Sequence, residues 1–353
     1  MGCHEVTVII PVFNTSNEAL RRSINSAVYQ KGIAEIIVVD DGSEKNYIPF
    51  LDSLEKEYFN LVKVFHQQNG GVSSARNAAL RMASGDVVAF LDSDDELDRS
   101  FLESALGILD EKKADVVLGG ISYCYSNGIV REMGNPELGD NIAVFEGDEI
   151  EILLGSLFNK NAMLRAGMHP AMYVSNCAAL YRRSVLEGIE FRQNLAISED
   201  RLFNYEVFSR CNRIAVSGRS WYRYIQNPHS ASQVIRIHAK EELVATALEI
   251  EALMGECPSS VRDDLVLGIV ECFMQTVEFT VLRPGFKDAF GKSKVDFIRE
   301  LIRIPVYQRA FDSFDSVNYK HRLLKRLFVS NSPHALSALF SLNKFLYLIK
   351  CSM

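Results

Sequence analysis

The stretch AFLDSDDELD, residues 89–98, closes an apolar run with five acidic side chains. Carboxylates crowded within about 4–6 Å raise one another's pKa and oppose folding unless a cation or strong donors compensate them. The residues alone leave two readings open. In one, the run ends a buried strand, and Asp94 or Asp95 caps the helix that follows. In the other, Asp92 and Asp94 face a ligand crevice and help to hold a divalent cation. Hard oxygen ligands suit Mg2+ or Mn2+, which take one or two carboxylates together with substrate phosphates.

The chain around this stretch alternates strand and helix. Apolar, β-branched runs over residues 6–13, 34–41, 61–67, 86–92 and 114–125 read as strands. Segments 17–30, 48–58, 73–83 and 100–112 carry apolar residues at helical spacing. Continuous apolar strands separated by amphipathic helices predict a mostly parallel α/β sheet flanked by helices on both faces. Ligands of such sheets bind at the carboxyl ends of the strands. The first four exits are PVFN at 11–14, DDGS at 40–43, QNGG at 68–71 and DSDD at 92–95, all polar or glycine-bearing and all expected on one edge.

Further along, residues 123–132 read as a hairpin turning at Asn127-Gly128, 133–147 as loop and 148–157 as a short helix. Residues 177–191 read as strand then helix. Residues 198–211 read as a helix opened by a Ser cap and the acids Glu199 and Asp200. Residues 213–225 read as two short strands, in which Trp221 to Tyr224 either contact sugar or pack within the strands, packing being the preferred reading. From about residue 240 the pattern is helical. These features predict a catalytic domain over 1–235 and a helical C-terminal extension over 236–353.

Bulk properties exclude several classes. Of the 353 residues, 48% are apolar and 24% charged, as in a globular protein, and the net charge of -7 argues against nucleic acid as a partner. The seven cysteines form no CxxC pair, which suits free thiols in a reducing compartment rather than a disulfide or zinc framework. No signal segment and no run of about 18 apolar residues occurs, so a cytoplasmic, non-spanning protein is expected. GxGxxG, GxxxxGK, HExxH and GxSxG are absent from the sequence.

Six segments taken together, VTVIIPVFN, IIVVDDGS, QNGGVSSARNAAL, GDVVAFLDSDDEL, LYRRSVLEGIEF and SED, resemble in order and spacing the family 2 inverting glycosyltransferases with the GT-A fold. The resemblance runs from about residue 6 to 232. It implies a bacterial surface-polysaccharide enzyme (O-antigen, capsule or exopolysaccharide) that moves a sugar from a UDP-sugar donor to a hydroxyl of a glycan or lipid-linked saccharide, with β-linkage and Mn2+ or Mg2+ as cofactor.

Position by position, the resemblance places Phe13 against the nucleotide base, with Pro11 beside it. Asp41 accepts from the uracil N3–H, and a carboxylate there favours uridine donors. Asn69 and the glycines after it surround the sugar nucleotide, and Arg76 pairs with the diphosphate; read by its charge alone, Arg76 salt-bridges to the strand-end acids. Asp92 and Ser93 contact ribose or donor sugar, and Asp94 ligates the metal. Asp200 is the general base, kept ionised by its helix N-terminus, and Glu199 lies on the acceptor side. His229, in QNPHSASQ, is a candidate third metal ligand. The competing class is a non-catalytic sugar-nucleotide or glycan-binding module on the same fold. A sugar-nucleotide nucleotidyltransferase is disfavoured, because PVFNTSNEALRRS lacks the glycine-rich basic signature of that class.

Residues 319–353 contain Lys320, Arg322, Lys325, Arg326, Lys344 and Lys350, no acid, and interleaved leucines and phenylalanines. Two readings follow: a basic amphipathic segment lying on an anionic membrane surface, or helices packed on the rest of the protein with their cations in water.

Overall fold

A computed structural model describes residues 4–352 except 126–127, 134–137, 169–172, 227–235 and 315–318. Two compact units divide at Asn227/Pro228.

The first unit runs β1 (Val6–Val12), α1 (Asn17–Val28), β2 (Ile33–Asp40), α2 (Ile48–Glu57), β3 (Val62–His66), α3 (Val72–Met82), β4 (Val87–Phe90), β5 (Glu96–Leu97), α4 (Phe101–Glu111), β6 (Val116–Cys124), β7 (Val130–Met133), β8 (Ile142–Glu146), α5 (Ile150–Ser156), β9 (Ala179–Arg182), α6 (Arg183–Leu186), α7 (Glu199–Arg210) and β10 (Arg213–Ile225). Among the described residues the strands form one sheet in the order β3-β2-β1-β4-β9-β6-β10-β5, with β7 against β6 and β8 against β10. Every residue of β1 and β4 is buried, as their unbroken apolar runs require of strands covered on both faces. Helix α1 packs Leu20, Ile24 and Ala27 inward, and the Ser16 hydroxyl caps it by accepting from the Ala19 N–H.

Strands β1 to β4 are parallel to one another, as the alternation of strand and helix predicts. Strand β9 then enters antiparallel between β4 and β6, with Tyr181 opposite both Val88 and Val116. The sheet is therefore mixed. The exits of β4, β6 and β10 still share one edge, since β6 and β10 are parallel and β9 reverses the direction twice.

Three local expectations are corrected. Residues 213–225 form one strand rather than two, with register shifts between Val216 and Tyr222 that absorb the interruption at Gly218. Strand β8 lies in the stretch expected as loop, paired with β10. The helix after β9 is a single turn.

Beneath the exit of β4 lies an aromatic core. The Phe90 ring meets Tyr181, Phe191 and Phe203 edge-on at 5.8, 5.5 and 5.7 Å, and Phe191 stacks on Phe203 at 3.8 Å. These rings anchor β4, β9 and α7 to one another and form a rigid floor under the acids.

The second unit is helical among its described residues: α8 (Ala239–Leu253), α9 (Arg262–Phe279), α10 (Phe286–Phe290), α11 (Lys294–Ile302), α12 (Pro305–Ser313), α13 (Tyr319–Val329) and α14 (Pro333–Ser352). Its core centres on Phe273, whose ring meets Tyr307, Phe311, Phe328 and Phe340. Leu324, Phe328, Leu336 and Phe340 of the basic tail are thus buried within this unit, while Arg322 and Arg326 are exposed. Among the described residues no helix is long and apolar enough to cross a membrane.

Candidate functional site

Arg76 organises the strand-end acids. It lies on α3 and is 3% exposed. One terminal nitrogen donates to Asp92 Oδ1 at 2.9 Å, and the other to Glu199 Oε1 at 3.1 Å and Asp200 Oδ1 at 2.9 Å. Its guanidinium also sits 5.3 Å from the centroid of the Phe191 ring. Burial alone lowers the pKa of such a group, but the charges of Asp200 and Asp92 outweigh it and hold Arg76 well above its ordinary value. The cation is fixed, and α7 is tied by charge to the exit of β4.

Of the two readings of Arg76, the ion pairs are the ones on view: three carboxylates enclose it and leave 4% of its side chain exposed.

Asp200 is held well above its ordinary carboxylate range by burial first and by the charge of Glu199 second, with Arg76 opposing. The N-terminus of α7 and Arg76 favour the anion, and burial beside a second acid opposes them. The helix start itself is unusual. Ser198 stands at the N-cap in a left-handed conformation, φ 66° and ψ 21°, and its side chain makes no cap hydrogen bond. The side-chain cap expected from the sequence is therefore replaced by a strained backbone turn. Such a turn costs a non-glycine residue on the order of 1–3 kcal/mol and occurs where surrounding structure enforces it.

The remaining acids of the DSDD stretch divide by role. Asp95 is buried and accepts from the Tyr222 hydroxyl at 2.7 Å and the Ile225 N–H at 2.8 Å. Burial, and then the charge of Asp92, pushes it up to about 8. Asp95 thus pins the β4 exit to β10 and caps no helix; Asp98 instead accepts from Ser100 before α4. Asp94 has no ion pair among the described residues. Burial, and then the charge of Asp92, raises its pKa. A part-buried carboxylate without an ion pair among the described residues, two residues from a second acid, fits Mg2+ or Mn2+ by its hard oxygen donors. Among the described residues no three His, Cys, Asp or Glu side chains converge on a metal position. His229, the candidate third ligand, lies outside the described residues.

The other strand exits are knit together. The Asn14 N–H donates to the Ser43 hydroxyl at 2.9 Å, and the Glu44 N–H to Asn14 Oδ1 at 2.8 Å. The Thr15 and Ser93 hydroxyls are 2.6 Å apart. Asp40 accepts from the Ser43 N–H and pairs with His66, which also meets Asp52. Phe13 presents its ring to solvent, 53% exposed, whereas Pro11 is buried within β1 opposite Val39.

Asp41 is buried and holds the glycine loop. Its Oδ1 accepts from Gln67 at 2.7 Å and from the Gly70 N–H at 2.8 Å, and its Oδ2 from the Gly71 N–H at 2.7 Å. Three of its roughly four lone-pair positions are thereby occupied. Gly42, at φ 76°, brings its α-carbon so close to Asn69 that a Cβ would stand 2.7 Å from the Asn69 N–H nitrogen. Exposed Asn69 therefore lies directly against the β2 exit.

Sequence reasoning missed Tyr222, Phe191 and Cys177. The Tyr222 hydroxyl links Asp95 to the backbone N–H of Asp92, which donates to it at 3.2 Å. Cys177 is buried beside Arg76 and Asp92, and burial pushes its thiol well up. An aromatic or a cysteine in an apolar stretch reads as ordinary core, so only the fold brings these three to the acids.

The model of the family described as glycosyl transferase family 2 matches residues 7–189. The minor teichoic acid biosynthesis protein GgaB of Bacillus subtilis is 26% identical over 63% of this chain, which spans 23% of GgaB. The poly(ribitol-phosphate) beta-N-acetylglucosaminyltransferase TarS of Staphylococcus aureus is 25% identical over 74% of this chain, which spans 42% of TarS. The chain thus covers less than half the length of these relatives. A crystal structure of S. aureus TarS residues 1–349 in complex with UDP-GlcNAc superimposes with a TM-score of 0.66 at 21% identity, covering 96% of this chain and 91% of that one, which shows the fold.

Proposed function

The chain belongs to glycosyl transferase family 2, and on that premise we propose that it transfers a sugar from a UDP-sugar to a hydroxyl of a cell-surface polymer or lipid-linked saccharide, with inversion to a β-linkage. The observation that carries this reading is the single guanidinium shared by Asp92 at a strand exit and Asp200 on a distant helix. A pure binding module has no need of a carboxylate held at a fixed angle to a metal-side acid.

Asp200 is the base in this reading. As the carboxylate held by Arg76, Asp200 can take the acceptor hydroxyl proton as that oxygen attacks the anomeric carbon. The C–O bond to UDP breaks on the opposite face. Arg76 keeps Asp200 and Glu199 oriented, so the base meets the acceptor without rearrangement. Phe13 offers its exposed ring to the base of the nucleotide. Asp41 keeps the Gly70–Gly71 backbone in shape, and the open lone pair on Oδ2 suits a uracil N3–H. Asp94, with Asp92 beside it, would hold Mg2+ or Mn2+, which supplies charge stabilisation for the leaving diphosphate.

The names of GgaB and TarS support an acceptor of the wall-polymer class. The exposed Arg322 and Arg326 suit contact with the cytoplasmic face of an anionic membrane. Measuring UDP release over a panel of UDP-sugars, with and without Mn2+ and with poly(ribitol phosphate) or lipid-linked saccharide as acceptor, tests the reading. Acceptor-dependent release from one UDP-sugar is expected; no release from any would refute it.

A further inference from the structure

A polar cavity of about 360 Å³ lies between α1, β5 and β10. Arg22, Arg99 and Arg223 line it, with Tyr29 and Glu96. None of Phe13, Arg76, Asp92, Glu199 and Asp200 is in its lining. Such a volume lies at the small end of ligand pockets and holds on the order of ten waters.

Its charge is unbalanced toward the positive. Glu96 serves two arginines at once: Arg22 Nε lies 2.9 Å away and Arg223 Nε 3.9 Å away. Asp98 also lines the cavity, but its Oδ1 accepts from the Ser100 N–H and hydroxyl. Arg99 is exposed and has no ion pair among the described residues. Acceptors are scarce as well: Arg22 Nε is buried without a hydrogen bond of acceptable geometry, although Glu96 is close. Buried N–H groups are rarely left so. The structure therefore gathers three forked donors around a polar hollow that contains fewer acceptors than they can use.

We propose that this cavity is a phosphoryl-anion site, separate from the donor cleft, in which Arg99 and Arg223 grip the phosphate oxygens and Arg22 backs them. The guanidinium fork matches a phosphate in charge and geometry, and the 73% exposed Tyr29 ring offers an apolar wall for whatever bears it. The site adjoins the metal-side acid, because Arg22 Nη2 donates to the Asp94 carbonyl at 3.1 Å. Free phosphate and the phosphodiester of a polyol polymer present the same oxygens.

Calorimetry on the full chain distinguishes these sources. With UDP and Mg2+ saturating the cleft, the protein is titrated with inorganic phosphate and, separately, with a short glycerol-phosphate oligomer. Binding of at least one probe is expected, weakened about tenfold or more in R99E/R223E and less in R99Q/R223Q, as charge-assisted contacts predict. Tighter binding of the oligomer assigns the site to a polymer phosphodiester; equal or tighter binding of phosphate assigns it to the free ion. No binding of either probe to the unaltered chain, or equal affinity in folded R99E/R223E, overturns the proposal. If UDP itself fails to bind, the donor-cleft reading falls, and the same titrations without UDP still decide the anion site.

Discussion

Asp92 and Asp200, on elements far apart in the chain, each accept a hydrogen bond at 2.9 Å from opposite terminal nitrogens of Arg76. The guanidinium fixes the separation and angle of two acids that would otherwise repel. It makes the β4 exit and the start of α7 one mechanical unit above the aromatic floor of Phe90, Phe191 and Phe203.

Removing that cation is therefore expected to be severe. Arg76→Met leaves three carboxylates in a part-buried cluster, and unfolding free energy should fall by about 3–5 kcal/mol in denaturant titrations. Arg76→Lys keeps the charge but not the fork. It should lose less stability, and turnover should fall more than UDP affinity does.

The two acids proposed for chemistry separate by measurement. Asp200→Asn should retain UDP binding and reduce turnover at least about a hundredfold, the scale of a lost general base. Asp94→Ala should abolish the Mn2+-dependent part of UDP affinity in calorimetry. Normal turnover in the first variant, or unchanged Mn2+ dependence in the second, removes that residue from its role.

Two glycines on the donor edge should respond differently to alanine. At Gly71, φ is 87° and an added Cβ meets nothing within 4 Å. Backbone strain alone predicts a loss of about 1 kcal/mol. At Gly42 the added Cβ also strikes the Asn69 backbone, so Gly42→Ala should destabilise more and raise the KM for the donor. Equal melting temperatures for the two variants would contradict the contact.

Glu35 sets a stability dependence on acid at the opposite end of the sheet. It is buried and accepts from Thr7, from Lys63, and from the N–H and hydroxyl of Ser84. Burial raises its pKa, but the hydrogen bonds from Lys63 and Ser84 outweigh that and lower it from 4.5 to about 2. A carboxyl depressed on folding contributes stability that is present above its unfolded pKa and lost as pH falls through the folded one. The window is thus about pH 4.5 down to 2, and Glu35→Gln should cost about 3 kcal/mol at neutral pH and flatten the acid limb of the unfolding curve.

The tail carries the last prediction. Leu324, Phe328, Leu336 and Phe340 are core residues, so deleting the segment would unfold the second unit rather than test membrane contact. Arg322→Glu with Arg326→Glu leaves the core intact. Pelleting with anionic vesicles should drop at low salt, while the melting temperature holds. Unchanged pelleting would discard the surface reading.

The succession of β1 to β4 with their helices, and the gathering of four polar exits on one edge, were legible in the chain because buried parallel strands demand unbroken apolar runs. Hydrophobic periodicity is local, and it fixes such elements without knowledge of their neighbours. Residues 133–147 and 213–225 were misread because β8 and the long β10 are held by pairing and bulges rather than by pattern.

The site divides in the same way. Asp92, Asp94, Glu199 and Asp200 stand out as acids in unusual places in the sequence itself. That Arg76 is enclosed by three of them, that Asp95 turns inward to Tyr222, that Pro11 is buried and that Ser198 takes a left-handed turn are decided only when β9 inserts between β4 and β6 and carries α7 to the β4 exit. Charge pairing and burial depend on which distant segments meet, and a linear pattern contains no such distance.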